Sequence, residues 1–234
     1  MAGTVTHLAI ADRICEKLGE RIKNLPLFYS GNIAPDAIHA RANYERAFKK
    51  HTHMTEGMHG GDFLDAEKLM LFYSRVNQYI DTYYHRENTD SDLYLGYIVH
   101  LITDELFNSR VRKQFLEKLK AENISESDPG FFKKLMHDMN AVDKITALKY
   151  PFKNNAKDLL NAVWDYEIAD MITAHEINAS KAWVISTCFD GKPGDEPVYY
   201  SYDENYDFIS ESADNIIYRL SNGVDYLKIL LFFP

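Results

Sequence analysis

Within the stretch LYLGYIVHLITDELF, residues 93–107, an imidazole and a carboxylate, His100 and Asp104, stand four residues apart. On a helix that spacing stacks two side chains one above the other, so both heads reach one point. Their neighbours are apolar, and an ionisable pair in an apolar helix is costly unless its polar atoms are satisfied. Two arrangements do that. One is a His–Asp hydrogen bond between two core groups, and the other is a divalent cation held between them. Further ligand-type side chains upstream, His7, Asp36, His51 and His53, favour the cation. They fall on at least four elements, so only the His100–Asp104 spacing is itself specific.

A site of imidazoles and carboxylates suits zinc, and iron, manganese and nickel accept the same donors. Hydrolysis of an ester builds negative charge on the substrate's oxygens. A cation neutralises that charge and lowers the pKa of bound water enough to supply hydroxide near neutral pH. Two carboxylates with two or three imidazoles bring the ion near neutrality and leave room for water. A closed set of four protein ligands would instead be structural.

The elements that must position these groups read as helices. Thr6 caps a helix from His7 to Ile22, which places His7 in its first turn. Residues 28–40, FYSGNIAPDAIHA, read as an apolar loop in which Pro35 opens a short helix with Asp36 in its first turn. A basic segment ends at KKHTHM, residues 49–54, and three glycines make residues 54–62 a flexible loop. Helices are expected over 62–84, over 93–107 with a continuation through KQFLEKLKAEN, over 130–150, 157–183 and 210–233. Residues 184–208, rich in Gly, Pro and Tyr, read as a long irregular loop with a short hairpin. The chain, 1–234, thus reads as one all-α, multi-helix domain without internal repeats.

Composition narrows the function. A formal charge of −9 argues against a surface that coats duplex nucleic acid. Two distant cysteines, Cys15 and Cys188, form neither a disulfide framework nor a thiolate metal site. The N-terminus lacks the pattern of a signal peptide, and no apolar run reaches a membrane span, so a cytoplasmic protein is the expectation.

Four blocks, THLAIAD (6–12), SGNIAPDAI (30–38), KKHTHM (49–54) and YLGYIVHLITDELF (94–107), together resemble the zinc-dependent phospholipase C family, itself related in structure to single-strand-specific zinc nucleases. The resemblance implies that Asp36, His53, His100 and Asp104 share one zinc. It implies too that Asp104 bridges to a second ion held by His7, with Asp36 and Asp104 beside the reacting water. His53 is matched rather than His51 because a bulky apolar residue, Met54, follows it. The third metal of the family has no counterpart after Asp104, where Asn108, Arg110 and Arg112 stand, so one or two ions are expected. The implied activity is hydrolysis of a phosphoester or phosphodiester, with a small phosphoester, a nucleotide or a phospholipid as substrate.

Other readings compete. An HD-type phosphohydrolase would use His137, Asp138 and either Asp165 or Asp170. A non-catalytic helical module would use a metal only as a staple. Glu105 reads as an exposed helix acid or as a base beside the metal, and His51 as a neighbour of the ligands or turned away. His39, His59 and His85 read as surface residues.

Overall fold

The helix expected around His100 forms over Ser91–Leu106 (α5), and every residue in it is buried. Such a helix must be surrounded. Its main neighbour is a second buried helix, Leu25–Ala37 (α2). The two cross at backbone contact through a pair of glycines. A Cβ on Gly31 would lie 1.9 Å from the Leu93 carbonyl oxygen, and one on Gly96 2.1 Å from that of Phe28. Asn24 starts α2 by accepting from the Leu27 amide at 3.1 Å, and Pro35 falls inside its last turn.

The loop expected over 28–40 is therefore mostly helix. A helix buried on all sides has no polar face, so the alternation that betrays an amphipathic helix is missing from it. Asp36 consequently sits in the last turn of α2, where the sequence suggested a first turn.

The computed structural model describes residues 2–192, 194–223, 226–228 and 230, and it is all-α. Thr4–Leu18 (α1) packs across α2 and α5. Arg46–Thr52 (α3) is short, and Ala66–Tyr83 (α4) begins at Asp65, whose carboxylate caps the Glu67 and Lys68 amides. Residues 54–62 are pinned, because Arg75 donates to the carbonyls of Met54 and Glu56, each at 2.9 Å. A π-helical turn, Phe107–Val111, carries α5 straight into Arg112–Lys120 (α6). Pro129–Lys149 (α7) follows.

The single helix expected over 157–183 is two, Ala156–Asn161 (α8) and Ala174–Trp183 (α9). Between them Asp165 and Asp170 take positive φ, and Ile168 bridges to Ile172. Thr173 and Glu176 form a reciprocal capping box that restarts the helix. The irregular segment is shorter than 184–208. Val184–Phe189 remains helical, and a capping box of Ser201 with Glu204 opens Tyr202–Asn222 (α10).

The helix expected to run to 233 ends at Gly223, φ +69°. Of the tail beyond it, the described residues bond to α4 and α10: Asn77 donates to Tyr226 O, and Leu230 N to Leu220 O. The rest of that expected helix lies outside the described residues. One apolar core runs from Ala2 to Leu230. No described helix is long and apolar enough to cross a membrane.

Candidate metal centre

His7 occupies the first turn of α1, which begins at Thr4 rather than after a Thr6 cap. The cap comes from α7. Asp143 accepts from the amides of Val5 and Thr6 at 2.9 Å and from the Thr6 hydroxyl at 3.1 Å. A Cβ on Gly3 would lie 2.2 Å from the same carboxylate, so the approach requires glycine. Asp36 projects from α2, His53 ends α3, and His100 and Asp104 come from α5.

These five side chains converge. His7, His100 and Asp104 form one group with donor atoms within 4.8 Å of one another, and Asp36, His53 and His100 form another. His100 belongs to both. Asp104 divides its oxygens between the two: Oδ1 lies 3.3 Å from His7 Nε2, while Oδ2 lies 3.7 Å from His53 Nε2 and 3.9 Å from His100 Nε2. Asp36 Oδ1 lies 3.3 Å from His53 Nε2.

Tautomers follow from the outer contacts. His100 Nδ1 lies 2.7 Å from Asn32 O, and His53 Nδ1 lies 3.0 Å from Lys49 O. A carbonyl only accepts, so both Nδ1 atoms carry hydrogen and both Nε2 atoms present a lone pair. Those two lone pairs face each other across 3.3 Å. Neither can donate to the other while neutral, whereas a cation satisfies both. His7 is 1% exposed and hydrogen-bonds through neither ring nitrogen. The donor set therefore fits a divalent metal, with backbone carbonyls fixing the imidazoles as such sites require.

Electrostatics agree. Burial pushes the His100 pKa well below the usual imidazole range, and His7 adds to the effect, so His100 is neutral. Burial alone would raise Asp36, but the Lys49 ammonium beside it holds it well below the usual carboxylate range. Asp104 is likewise held below the usual carboxylate range despite its burial, and its Oδ1 accepts from the Ala2 amide at 2.9 Å. Neutral imidazole and ionised carboxylate are the forms that bind metal.

The cluster is open on one side. His53 and Asp104 line a cavity of about 510 Å³. Met58, Phe63, Leu135 and Met139 give it an apolar wall, and Arg46, Lys49, Lys50 and Arg112 a cationic one.

Residues 6–106 match the family model described as zinc dependent phospholipase C. This segment, 101 of the 234 residues, is similar to the zinc-dependent phospholipase C family. It contains all five converging side chains and ends with α5, while α6 to α10 lie beyond it. No curated protein and no solved structure matches the chain.

Other candidate residues fall elsewhere. His51 points outward, 58% exposed, with Nδ1 2.6 Å from Glu56. Glu105 is not the exposed acid the sequence suggested. It is buried against Arg219 at 2.7 Å and Tyr73 at 3.0 Å, tying α5 to α10 and α4. Asp138 spends its carboxylate on the amides of Val198, Tyr199 and Tyr200. His137 bonds to Asp138 at the surface. Neither joins a metal-type group among the described residues, and nor do Asp165 and Asp170.

His39 and His59, which read as surface residues, line the cavity. Lys49 was passed over as part of a basic run, yet it contacts both Asp36 and His39. The signal for it was present: Arg46, Lys49, Lys50 and His53 share one helix face.

Proposed function

We propose that this chain is a metal-dependent hydrolase of phosphoesters, with His7, Asp36, His53, His100 and Asp104 as ligands for one or two zinc ions. The observation that carries the reading is the opposed Nε2 lone pairs of His53 and His100, flanked by two ionised carboxylates and opening on a cavity. Zinc there supplies Lewis acidity toward phosphoryl oxygens and lowers the pKa of a coordinated water.

The protein's own groups do the rest. Asn32 O and Lys49 O hold the two imidazoles in the tautomer that leaves Nε2 free. Asp104, with Oδ1 toward His7 and Oδ2 toward His53 and His100, would be the carboxylate shared between two ions if both are bound. Asp36 and Asp104, both ionised, would offset the charge of a bound cation. The α3 cations and Arg112 attract the anionic substrate, and the apolar wall excludes solvent from the organic part.

The opening favours catalysis over a structural staple, because a staple gains from closure.

The test combines elemental analysis of the tag-free protein with hydrolysis assays on bis(4-nitrophenyl) phosphate, short-chain phosphatidylcholine and 4-nitrophenyl phosphate. Zinc bound, activity on at least one ester, and loss of both in His100→Ala support the reading. Zinc bound with no hydrolysis of any ester transfers the site to a structural role.

A further inference from the structure

Arg46, Lys49, Lys50 and His53 stand at i, i+3, i+4 and i+7, the spacing that aligns side chains along one face of a helix. All four line the cavity. The face descends from exposed Arg46 to His53, 4% exposed at the metal-type cluster. Arg112, which lines the same cavity, is fixed by Glu126 at 2.6 Å and lies 4.7 Å over the Phe131 ring.

Asp104 is the only carboxylate among the lining residues, against four fixed cations, in a chain of formal charge −9. Lys49 and Arg112 have carboxylate partners. Among the described residues Arg46 and Lys50 have none. Their charge is left for a ligand.

The apolar part of the lining is of another kind. Met58, Phe63, Leu135, Met136 and Met139 form it, with Phe132, 58% exposed, also bordering the cavity. Thioethers and phenyl rings offer an adaptable surface to an aliphatic chain but no paired donors and acceptors for a nucleobase edge. Asn108, which lines the same cavity, commits its amide to Asp104 O at 2.7 Å.

We propose that the cavity selects an amphiphilic phosphate monoester, its dianionic head against Arg46 and Lys50 and its aliphatic chain along the methionine-rich wall. This deepens the hydrolase reading and rests on it. The charge count sets the preference. A monoester carries close to two negative charges near neutral pH, because its second pKa is about 6. A choline diester carries one negative charge, and its quaternary ammonium would meet the cations.

The test is calorimetry on the zinc-reconstituted full chain at pH 8 with octylphosphonate, a non-hydrolysable monoester mimic, against octylphosphocholine and inorganic phosphate. Octylphosphonate is expected to bind about tenfold or more tighter than either, the scale of one charge-assisted hydrogen bond. Lys50→Gln and Arg46→Gln, both on the protein surface side of α3, should each weaken octylphosphonate about fivefold and leave octylphosphocholine nearly unchanged.

Equal or tighter binding of octylphosphocholine, or indifference of both variants, overturns the proposal. Inorganic phosphate matching octylphosphonate overturns the aliphatic half. Sedimentation with phosphatidylcholine vesicles, with and without phosphatidic acid, separates the sources. Capture only by phosphatidic acid assigns a lipid headgroup, and binding of octylphosphonate without capture assigns a soluble ester. Charge-selective binding with no hydrolysis of octyl phosphate at any zinc loading removes the hydrolase reading alone. Turnover of the choline diester in preference to the monoester removes the selectivity alone.

Discussion

The imidazoles of His7 and His100 lie face to face, ring centroids 3.8 Å apart and planes 2° from parallel, although they come from helices 93 positions apart in the chain. Two buried rings in that contact cannot both carry a proton without strong repulsion. The stack therefore ties the protonation of the site to the folding of α1 against α5.

Acid should destabilise the metal-free protein in a defined window. His100 has a folded pKa below its ordinary 6.5, so between those values the unfolded chain binds the extra proton. Stability is then full above about pH 6.5 and is lost as pH falls below it. Asp36 and Asp104 are also depressed and add a second loss below their ordinary 3.8. Melting of chelator-treated protein should show a falling Tm from pH 7 to pH 5. A flat profile over that range would contradict a neutral, buried His100.

Zinc should raise the Tm of the same protein. A ligand present at a thousand times its Kd stabilises by about 4 kcal/mol, which for a chain of this size is about 8–16 °C. Chelation should reverse the shift. Asp104→Ala, which removes a member of the His7 group and the oxygen 3.7 Å from His53 Nε2, should abolish the zinc-dependent shift and leave no zinc by elemental analysis. Retention of one tightly bound zinc in that variant would refute the bridging assignment.

The glycine pair offers a test of how the fold places the ligands. Gly96→Ala brings a methyl to within 2.1 Å of the Phe28 carbonyl oxygen, which belongs to helical backbone and cannot rotate away. Separating α2 from α5 is expected to cost about 3 kcal/mol or more. It also moves Asp36 away from His100. The checks are a Tm lower by about 6–12 °C and weaker zinc binding by titration. An unchanged zinc affinity would show that Asp36 does not depend on that crossing.

What the sequence made legible follows the range of the signal. His100 and Asp104 were readable because both lie on one helix at a fixed spacing, whereas the capping boxes at Thr173 and Ser201, though written locally, were missed in favour of one helix over 157–183 and a last helix from 210. The helix around Gly31 was not readable, because full burial removes its polar face. Nor were the carboxylates that hold the C-terminal half to the site. Asp138 reaches Val198, Tyr199 and Tyr200, while Asp12 accepts from Tyr29, Lys153 and Asn154. Such pairs are made by tertiary packing and leave no period in the chain. His39 and His59 are exposed, as expected, and what the sequence could not show is that they border the same cavity.

A buried lysine away from the site should govern stability in base. Lys181 is 1% exposed, donates to Val163 O at 2.7 Å, and has its pKa lowered by burial to about 8. Its unfolded value is higher, 10.5, so its contribution is present above that value and is lost as pH falls toward 8. Between pH 8 and pH 9.5, below the range where the tyrosines titrate, wild-type Tm should rise with pH. Lys181→Met should flatten that rise and raise Tm at pH 7.5. A variant less stable than wild type at pH 7.5 would mean that the bond to Val163 O outweighs the burial of charge.

The separation of the two ligand groups can be tested through Asp143, which touches neither. Its carboxylate caps the first turn of α1 and so sets the height at which His7 meets Asp104 and His100. Asp143→Asn keeps the volume but leaves one acceptor oxygen where two served the Val5 and Thr6 amides. Loss of a helix N-cap costs about 1–2 kcal/mol, so Tm should fall by a few degrees. The decisive reading is zinc stoichiometry. His7 is the ligand carried on that turn, so Asp143→Asn should lose the ion bound through His7 and keep the one bound by Asp36, His53 and His100. His7→Ala should give the same stoichiometry without the loss of the cap, its melting closer to wild type in the presence of chelator. Two ions retained at wild-type affinity in Asp143→Asn would break the link between the α1 cap and the metal centre.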